Sequence, residues 1–404
     1  MTRFPVSGFR FPVSGSGSGS GSGFGFRVSG SGCRDPRGRP NDKELDKTTI
    51  TMKRSSGKSV GPETGIRKPE TVFSDRLLTW WQENGRHDLP WQHPRAAYRV
   101  WVSEIMLQQT QVETVTGYFD RFMQRFPDLQ SLAAAQLDEV LALWSGLGYY
   151  ARARNLHAAA GQVRENFGGV LPGDPDALVQ LPGIGRSTAA AIVAQAFDQR
   201  AVILDGNVKR VLARHAGISG WPGAPAVERE LWREADRRTP EQRAADYTQA
   251  VMDLGATVCR RSSPACDVCP VAADCVALAR NLQHELPTPR PKRVLPERAS
   301  RFLIARDESD RVLLVRRPPS GIWGGLWCLP ETDDIEFEAV ESLPAPRDLR
   351  HVFTHFALHM SFDHARIRAT PKHVWEGPTW EWFAIEQALA AGLPQPVRKV
   401  LSTL

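Results

Sequence analysis

Four of the six cysteines lie within seventeen residues, and this cluster restricts the fold more than any other feature of the chain. They are Cys259, Cys266, Cys269 and Cys275, spaced C-x6-C-x2-C-x5-C. Four thiolates gathered so closely suit a soft tetrahedral site or a cubane cluster. The residues alone leave structural zinc and an iron–sulfur cluster equally open. Because two arginines follow the first cysteine, a bound metal would stiffen a basic loop suited to holding phosphate.

Composition excludes membrane-spanning and disulfide-rich secreted proteins. The 404 residues are 41% hydrophobic and carry a formal net charge of +6, which is compatible with a polyanionic partner. No run of eighteen apolar residues occurs, so we predict no transmembrane helix and no membrane partner. The cysteines are clustered and the N-terminal segment has no apolar signal core, so we expect a monomer in a bacterial cytoplasm. The acid-free segment before Asp35 leaves organelle targeting as an alternative.

The composition changes three times along the chain. Residues 1–70 repeat FPVSG and then Ser-Gly dipeptides, which bury too little apolar surface to fold, so we predict a disordered tail. Residues 71–280 show helical periodicity, and the proline-rich residues 281–297 are typical of a linker. Residues 298–404 contain short β-rich runs such as RFLIAR and RVLLVRR. The sequence therefore predicts a mostly α domain followed by an α+β domain.

Apolar residues within the mostly α part recur at helical spacing, and strand-like alternation is nearly absent. Ser74 is of a type favoured at helix N-caps, so we predict that the first helix begins there. Further helices are predicted at about 96–109, 137–143, 151–167, 186–197, 207–215, 226–236 and 241–254.

The segment LPGIGRSTAAAI has the composition of a phosphate-binding hairpin. Gly183 and Gly185 lie between an apolar helix end and a new helix, where they permit a sharp turn and leave backbone N–H groups free for an anion. A helix–turn–helix corner without a ligand is the alternative. A lysine at position 187 could form a Schiff base with a sugar, whereas Ser187 cannot.

Two acidic residues are candidates for catalysis. Glu104 lies on a strongly apolar helix, where partial desolvation would raise its pKa and suit a proton donor; a solvated helix face is the alternative. Asp205 precedes GNVKRVLAR, so it is either a simple N-cap or a carboxylate at a cleft beside Asn207 and Lys209. Hydrolysis of an N-glycosidic bond requires such a pair, with one acid for the leaving base and one anion for the sugar cation.

Seven sequence motifs lie before the four cysteines along the chain. They are LPWQ at 89–92, SEIMLQQTQV at 103–112, GLGYYARARNLH at 146–157, LPGIGRSTA at 181–189, LDGNVKRVLAR at 204–214, SGWPG at 219–223 and MDLGA at 252–256. Together they closely resemble the adenine DNA glycosylase (MutY) family of the helix–hairpin–helix superfamily. The match is continuous from about residue 74 to 280 and looser from there to the C-terminus.

The resemblance implies a base-excision enzyme that flips adenine, mispaired with 8-oxoguanine or guanine, out of double-stranded DNA. Glu104 matches the acid that protonates adenine, Asp205 the carboxylate that stabilises the sugar cation, and Asn207 a residue that supports this pair. The residues that match the lining of the adenine pocket are Leu89, Trp91 and Gln249. The residues that match side chains that probe the base stack are Gln109 and Tyr149.

The resemblance also bears on the metal and on strand cleavage. The four cysteines match ligands of a [4Fe–4S] cluster, which favours iron–sulfur over zinc. Endonuclease III-type lyases carry lysine where Ser187 stands and lack a glutamate at the position of Glu104, which implies base removal without efficient strand cleavage. Lys209 is left as a residue that could trap the sugar in a side reaction. Two rivals remain: a glycosylase-lyase for oxidised pyrimidines and a non-catalytic, DNA-bound iron–sulfur sensor.

The C-terminal region resembles the Nudix-like module that this family uses to read 8-oxoguanine. The supporting motifs are RRPPSGIWGGLWCLP at 316–330 and HVFTHFALH at 351–359. Phe353, Thr354 and His355 match a loop that inspects the damaged base, although the family often has serine at the middle position. The acidic box that would bind Mg²⁺ is missing between 325 and 345, so the resemblance implies a reader rather than a pyrophosphatase.

Overall fold

A computed structural model describes residues 69–291, 294–334, 339–367 and 379–404. The tail predicted over residues 1–70 lies outside the described residues except for its last two, which begin the first helix. The helices of the first part are α1 (Pro69–Asn84), α2 (Ala97–Leu107), α3 (Val112–Arg125), α4 (Leu129–Ala134), α5 (Leu137–Leu143), α6 (Ala151–Asn166), α7 (Pro175–Val179), α8 (Arg186–Phe197), α9 (Gly206–His215), α10 (Pro225–Arg238), α11 (Ala244–Asp253) and α12 (Val276–Ala279).

The first helix begins earlier than predicted. α1 begins at Pro69, a residue type favoured in the first helical turn, so the prediction that Ser74 caps it is wrong. Ser74 is buried inside the helix, and Phe73 is buried together with Leu77 one turn later. The apolar face of α1 therefore extends back beyond Ser74, and an additional turn is needed to carry Phe73 into the core.

Most other helices agree with their predicted bounds. Those predicted at 137–143 and 186–197 are confirmed to the residue as α5 and α8. The prediction missed α3, although its buried residues recur at helical spacing, and it missed α4 and α7, which have only six and five residues. Helices of one or two turns are too short for periodicity to reveal.

Within the described part of the chain, helices α1 to α11 surround one apolar core that includes the fully buried Trp101 and Trp144. α2 packs along α8, and α8 in turn packs against α11. This arrangement brings the helix that carries Glu104 beside the helix that follows the glycine hairpin. No helix among the described residues has both the length and the apolar character needed to cross a bilayer.

The second part is a mixed sheet with two helices, which confirms the predicted α+β class. Its elements are β1 (Glu297–Arg306), β2 (Val312–Arg316), β3 (Trp327–Cys328), β4 (Ala339–Ser342), β5 (Leu349–Val352), β6 (Ala357–Ile367), β7 (Trp380–Phe383), α13 (Ile385–Ala390) and α14 (Gln395–Leu401). The main strand order is β3-β2-β1-β6-β4, with β1 and β6 parallel and the other pairs antiparallel. β5 pairs with β6, and β7 pairs with β2.

Both faces of the central strand β1 are buried. Phe302 and Ile304 face one apolar cluster, while Leu303 and Ala305 face another on the opposite side of the sheet. The alternation explains why RFLIAR is a continuous apolar run, as strands covered on both faces are. The first cluster includes residues of α13 and α14, so these helices cover that face.

Hydrogen bonds join the helical part to the sheet part. The Tyr150 hydroxyl donates to the Leu393 carbonyl oxygen over 2.7 Å, and an Arg154 guanidinium nitrogen donates to the Gly324 carbonyl over 2.7 Å. Arg398 donates to the Ser145 hydroxyl over 2.7 Å. Tyr150 and Arg154 belong to GLGYYARARNLH, so this motif provides two of the contacts that hold the two parts together.

Candidate active site

A cavity of about 890 Å³ lies between α2 and the N-terminal ends of α8 and α9, and is here called the first cavity. Its volume is within the range typical of ligand sites. The predicted site residues that line it are Leu89, Trp91, Glu104, Gln109, Ser187, Asp205, Asn207 and Gln249. The structure thus brings together most of the residues matched to adenine chemistry, and the eight lining residues come from five separate segments of the chain.

Glu104 faces the first cavity from the C-terminal half of α2, between the buried Ser103 and Ile105. The side-chain amide nitrogen of Gln195 donates to its Oε1 over 3.0 Å. Burial, and then the charge of Asp205, raise the pKa of Glu104 to about 7, while the bond from Gln195 lowers it. A carboxyl group with this pKa is often protonated near neutral pH and can serve as a general acid.

Asp205 has both of the roles that its sequence context suggested. It is the N-cap of α9, where its Oδ1 accepts a hydrogen bond of 2.7 Å from the backbone N–H of Val208. It also lines the first cavity. Burial raises the pKa of Asp205, and hydrogen bonds from the backbone and side chain of Asn207 oppose that rise.

The different surroundings of the two carboxyl groups assign their protonation states. Glu104 accepts one amide hydrogen bond, whereas Asp205 accepts bonds from Val208 and from Asn207 at a helix N-terminus. Amide donors and the helix dipole favour the ionised form. When the two groups share one proton it therefore resides on Glu104, and Asp205 is the anion.

Ser187 lines the first cavity from the first turn of α8. Its hydroxyl oxygen accepts a hydrogen bond of 3.0 Å from the backbone N–H of Leu204. This bond holds the segment that leads directly into Asp205. Ser187 therefore fixes the approach to a carboxylate and presents a hydroxyl group, rather than an amine, to the cavity.

The glycine hairpin joins α7 to α8, and its two glycines have different roles. Gly183 has a φ of +78°, and a Cβ there would lie 2.8 Å from the Cβ of Asn155, so glycine is required. Gly185 is the N-cap of α8, and a Cβ there would meet open space. The bare N-terminus of α8 is therefore open to the approach of a phosphate group.

A second cavity of about 780 Å³ lies between the helical part and the sheet part. The predicted residues that line it are Gln109, Tyr149, Phe353, Thr354 and His355. The last three lie in the turn between β5 and β6, where the Phe353 N–H donates to the Phe356 carbonyl over 2.8 Å. The ring of Phe353 stacks on that of Phe356 with centroids 4.5 Å apart. Gln109 borders both cavities and so joins them.

Arg152, which the sequence analysis did not identify, forms hydrogen bonds with both of the turns that carry Gln109 and Tyr149. Its guanidinium donates to the Gln108 carbonyl over 2.6 Å and to the Gly148 carbonyl over 3.2 Å, and to four further acceptors in the same turns and in α2. Gln109 and Tyr149 both have positive φ, at 60° and 49°. A buried guanidinium with six acceptors can hold such strained turns in place.

The four clustered cysteines border one small cavity with apolar walls. Among the residues that the structure describes, no three His, Cys, Asp or Glu side chains converge closely enough for a single metal ion. Four thiols around a cavity are instead the arrangement that a larger inorganic cluster requires. Burial raises the pKa of Cys269 to about 11, and a guanidinium nitrogen of Arg214 donates a hydrogen bond of 3.4 Å to the Cys259 sulfur.

Comparisons with known proteins agree with this geometry. Residues 102–237 match the model of the HhH-GPD superfamily base excision DNA repair proteins, and residues 301–403 match that of the NUDIX domain. The adenine DNA glycosylase of Buchnera aphidicola (subspecies Acyrthosiphon pisum) is 37% identical over 340 residues, which are 82% of this chain and 97% of that protein. The chain belongs to the adenine DNA glycosylase family. It is therefore a DNA glycosylase with the helix–hairpin–helix and Nudix-like folds that the sequence predicted.

Two further proteins are also similar to this chain. The mouse adenine DNA glycosylase is 35% identical over 405 residues, which cover 82% of this chain and 77% of that protein. The solved structure of a thermostable thymine-DNA glycosylase superposes with a TM-score of 0.48 and 28% identity, over 52% of this chain and 97% of that one.

Lys209, which the sequence places near Asp205, does not face the first cavity of this family member. The ammonium group of Lys209 forms an ion pair of 2.7 Å with Glu228 of α10, and Lys209 does not line the cavity. Position 209 follows the N-cap of α9 by a full turn, and its long side chain extends toward the neighbouring helix. The structure thus pairs the Lys209 side chain with Glu228 and not with the cavity that Asp205 lines.

Several residues that the sequence analysis missed support the first cavity of this glycosylase. Arg86 lines it and is held by the fully buried Asp253 over 2.7 Å. Asp253 also accepts a hydrogen bond of 2.8 Å from Gln249. Arg210 donates to Asn207 over 2.8 Å and to the Cys259 carbonyl over 2.7 Å, which connects α9 to the cysteine loop. These contacts join distant segments, so no local sequence signal reveals them.

Proposed function

We propose that the protein hydrolyses the N-glycosidic bond of adenine that is mispaired with 8-oxoguanine or guanine in double-stranded DNA. The observation that carries the proposal is Glu104, with a pKa near 7, in one cavity with the capped carboxylate of Asp205. The curated relatives named above are adenine DNA glycosylases, which supports adenine as the base. A duplex substrate requires that the nucleotide leave the base stack and enter the cavity.

Glu104 gives its proton to the adenine ring as the C–N bond breaks, so the base leaves as a neutral molecule. The sugar then carries positive charge, which the anionic Asp205 stabilises electrostatically. Hydrogen bonds from Asn207 favour the ionised form of Asp205 and oppose the effect of its burial. The Glu104 carboxylate then accepts a proton from water as the water oxygen bonds to the sugar carbon, which restores the acid.

The proposed reaction stops at base removal. A lyase requires an amine that attacks the sugar and forms a Schiff base. Ser187 presents a hydroxyl group to the first cavity, and the ammonium group of Lys209 is paired with Glu228. We therefore propose a monofunctional glycosylase that leaves an intact abasic strand.

Recognition of the mispair is assigned to the second cavity. Tyr149 is 50% exposed, and Gln109 lies where the two cavities meet, so both can occupy space that a flipped adenine vacates. Phe353, Thr354 and His355 face the same cavity and offer a ring, a hydroxyl and an imidazole to the opposite base. The N-terminus of α8 would hold a backbone phosphate.

We propose that Cys259, Cys266, Cys269 and Cys275 hold a [4Fe–4S] cluster. Their thiols border one cavity whose walls are apolar, and soft thiolates are the ligands such clusters use. When bound, the cluster supplies iron–sulfur bonds that cross-link the loop, with no part in the bond cleavage. Arg214 binds this loop by donating 2.7 Å and 2.9 Å hydrogen bonds to the carbonyls of Arg260 and Arg261.

The test is a paired-substrate excision assay with and without alkali. We expect adenine release opposite 8-oxoguanine and guanine, with strand breaks only after alkali, and no release of thymine glycol opposite adenine. Glu104→Gln should abolish release while it preserves duplex binding, and Glu165→Gln, an exposed change on α6, should behave as wild type. Excision of the oxidised pyrimidine alone, or full activity of Glu104→Gln, would refute the proposal.

A further inference from the structure

One buried polar side chain on α8 contacts the proposed catalytic acid and has no role in the account above. The buried face of α8, a helix that the structure describes in full, consists of alanine, isoleucine and valine with one exception, Gln195, which is 4% exposed. Burying a primary amide among apolar residues costs free energy unless it forms hydrogen bonds. Its Nε2 donates to Glu104 Oε1 over 3.0 Å, 91 positions away in the sequence.

The direction of this hydrogen bond determines its chemical effect. An amide N–H donor interacts more strongly with a carboxylate than with a carboxylic acid, because the negative charge strengthens the bond. The carboxylate form of Glu104 arises at the step in which the proton passes to the leaving base. A donor in place beforehand stabilises the product of that step without reorganisation.

We propose that Gln195 is a positioning residue that fixes the orientation of the Glu104 carboxyl group and stabilises its carboxylate once the proton has left. The inference rests on the proposed function, since it concerns the same acid. α8 then serves both halves of the site: Gln195 holds Glu104 near the C-terminal end of the helix, and Ser187 holds the segment before Asp205 near its N-terminal end.

The charged side chains around Glu104 are either acids or arginines that bind other partners, so Gln195 is the donor that stabilises its carboxylate. Asp205 raises the pKa of Glu104 in addition to burial, and Gln195 opposes both. Arg86 lines the cavity but is bound by Asp253, and Glu113 lines it from α3. From α6, the guanidinium of Arg152 is engaged with backbone carbonyls at the end of α2. Without the Gln195 amide, the pKa of Glu104 would rise further, because burial and Asp205 would no longer be opposed by this hydrogen bond.

The test is Gln195→Leu, which keeps the volume of the side chain on an apolar helix face and removes the donor. Single-turnover adenine release is measured from pH 5 to 9 on the full-length, cluster-containing protein. Because Glu104 would hold its proton more tightly, the alkaline limb of the pH–rate profile should move up by about one pH unit. Because the acid would also be a poorer donor, the rate at pH 7 should fall about tenfold. Duplex affinity should not change.

Thr248→Val is the matched control. Thr248 is also buried, and its hydroxyl has no hydrogen-bond partner among the described residues. This variant makes a comparable polar-to-apolar change in the core, so its pH–rate profile should be that of the wild type. Thermal unfolding of both variants separates loss of catalysis from loss of folded protein.

Two results would overturn the inference. A wild-type rate and alkaline limb for Gln195→Leu would show that the amide does not act on Glu104. A lower rate with an unmoved limb and a lower melting temperature would show that Gln195 only supports packing. Failure of the proposed function is distinguishable from both, because it is measured by full activity of Glu104→Gln, whatever Gln195→Leu does.

Discussion

The two cavities differ in what holds their side chains. In the first, Glu104 and Asp205 lie on helical segments, and each accepts hydrogen bonds from elements that are themselves buried. In the second, Phe353, Thr354 and His355 lie on a turn between two strands and face a space that the rings of Trp323 and Phe356 also line. Acid–base chemistry requires desolvated groups with fixed protonation states, whereas reading a base requires accessible surfaces for stacking.

This difference predicts how each cavity responds to substitution. Changes in the first cavity should alter the rate by orders of magnitude for every mispair. Changes in the second should alter the preference between mispairs by smaller factors, because each stacking or polar contact contributes only part of the binding free energy.

The largest effect is expected from Asp205→Asn. Asparagine also caps helices well, so the fold should be retained, but the sugar cation would lose its anion. Single-turnover adenine release should fall at least about a thousandfold opposite both 8-oxoguanine and guanine. Asp128→Asn makes the same change at the N-cap of α4 and should leave the rate unaltered. Equal losses in the two variants would mean that Asp205 is a cap only.

Arg152→Met should affect both cavities at once, because Arg152 holds the turns that join them. Burial lowers the pKa of this guanidinium to about 10, and its removal leaves six acceptors without their donor. The free energy of unfolding in urea should fall by about 3 kcal/mol, with slower excision from both mispairs. Arg154→Met, which loses one bond to Gly324, should have a clearly smaller effect on stability. A variant of Arg152 with wild-type stability would contradict this role.

Phe353→Ala should change only the preference between the two mispairs. Loss of a stacking ring from the second cavity should reduce the preference for adenine opposite 8-oxoguanine over adenine opposite guanine about tenfold. The rate opposite guanine should stay near wild type. Val340→Ala, which truncates an exposed side chain on β4, is the control. If Phe353→Ala slows both substrates equally, the second cavity supports the fold and does not read the base.

The smallest effect concerns stability and pH. The pKa of Glu104 is raised in the folded protein from 4.5 to about 7, so the native state binds this proton more tightly than the unfolded chain. The carboxyl group therefore lowers stability as the pH rises from about 4.5 to about 7. Glu104→Gln should exceed the wild type in free energy of unfolding by about 3 kcal/mol at pH 8 and by little at pH 4. If Glu104→Gln is more stable than the wild type by the same amount at every pH, the pKa of Glu104 is not raised in the folded protein.

Much of the fold and of the candidate site could be predicted because the sequence patterns that specify them are local. The N-cap of α9 and the bounds of α5 and α8 follow from residues within a few positions of each other. α7 was missed because a five-residue helix has too few turns to show a period. The Lys209 expectation shows the limit of such reasoning, since adjacency along the chain did not determine which neighbour a long side chain reaches.

By itself, the sequence determined the classes of the two parts, the clustering of the thiols and the presence of two carboxylates with suitable chemistry. These properties depend on composition, spacing and hydrogen bonds within one or two turns. Only the tertiary structure brought Glu104 and Asp205 into one cavity, placed Gln195 on the acid and gave Arg152 its six acceptors. Those contacts form between segments far apart in the chain, where helix packing rather than local propensity decides which side chains meet.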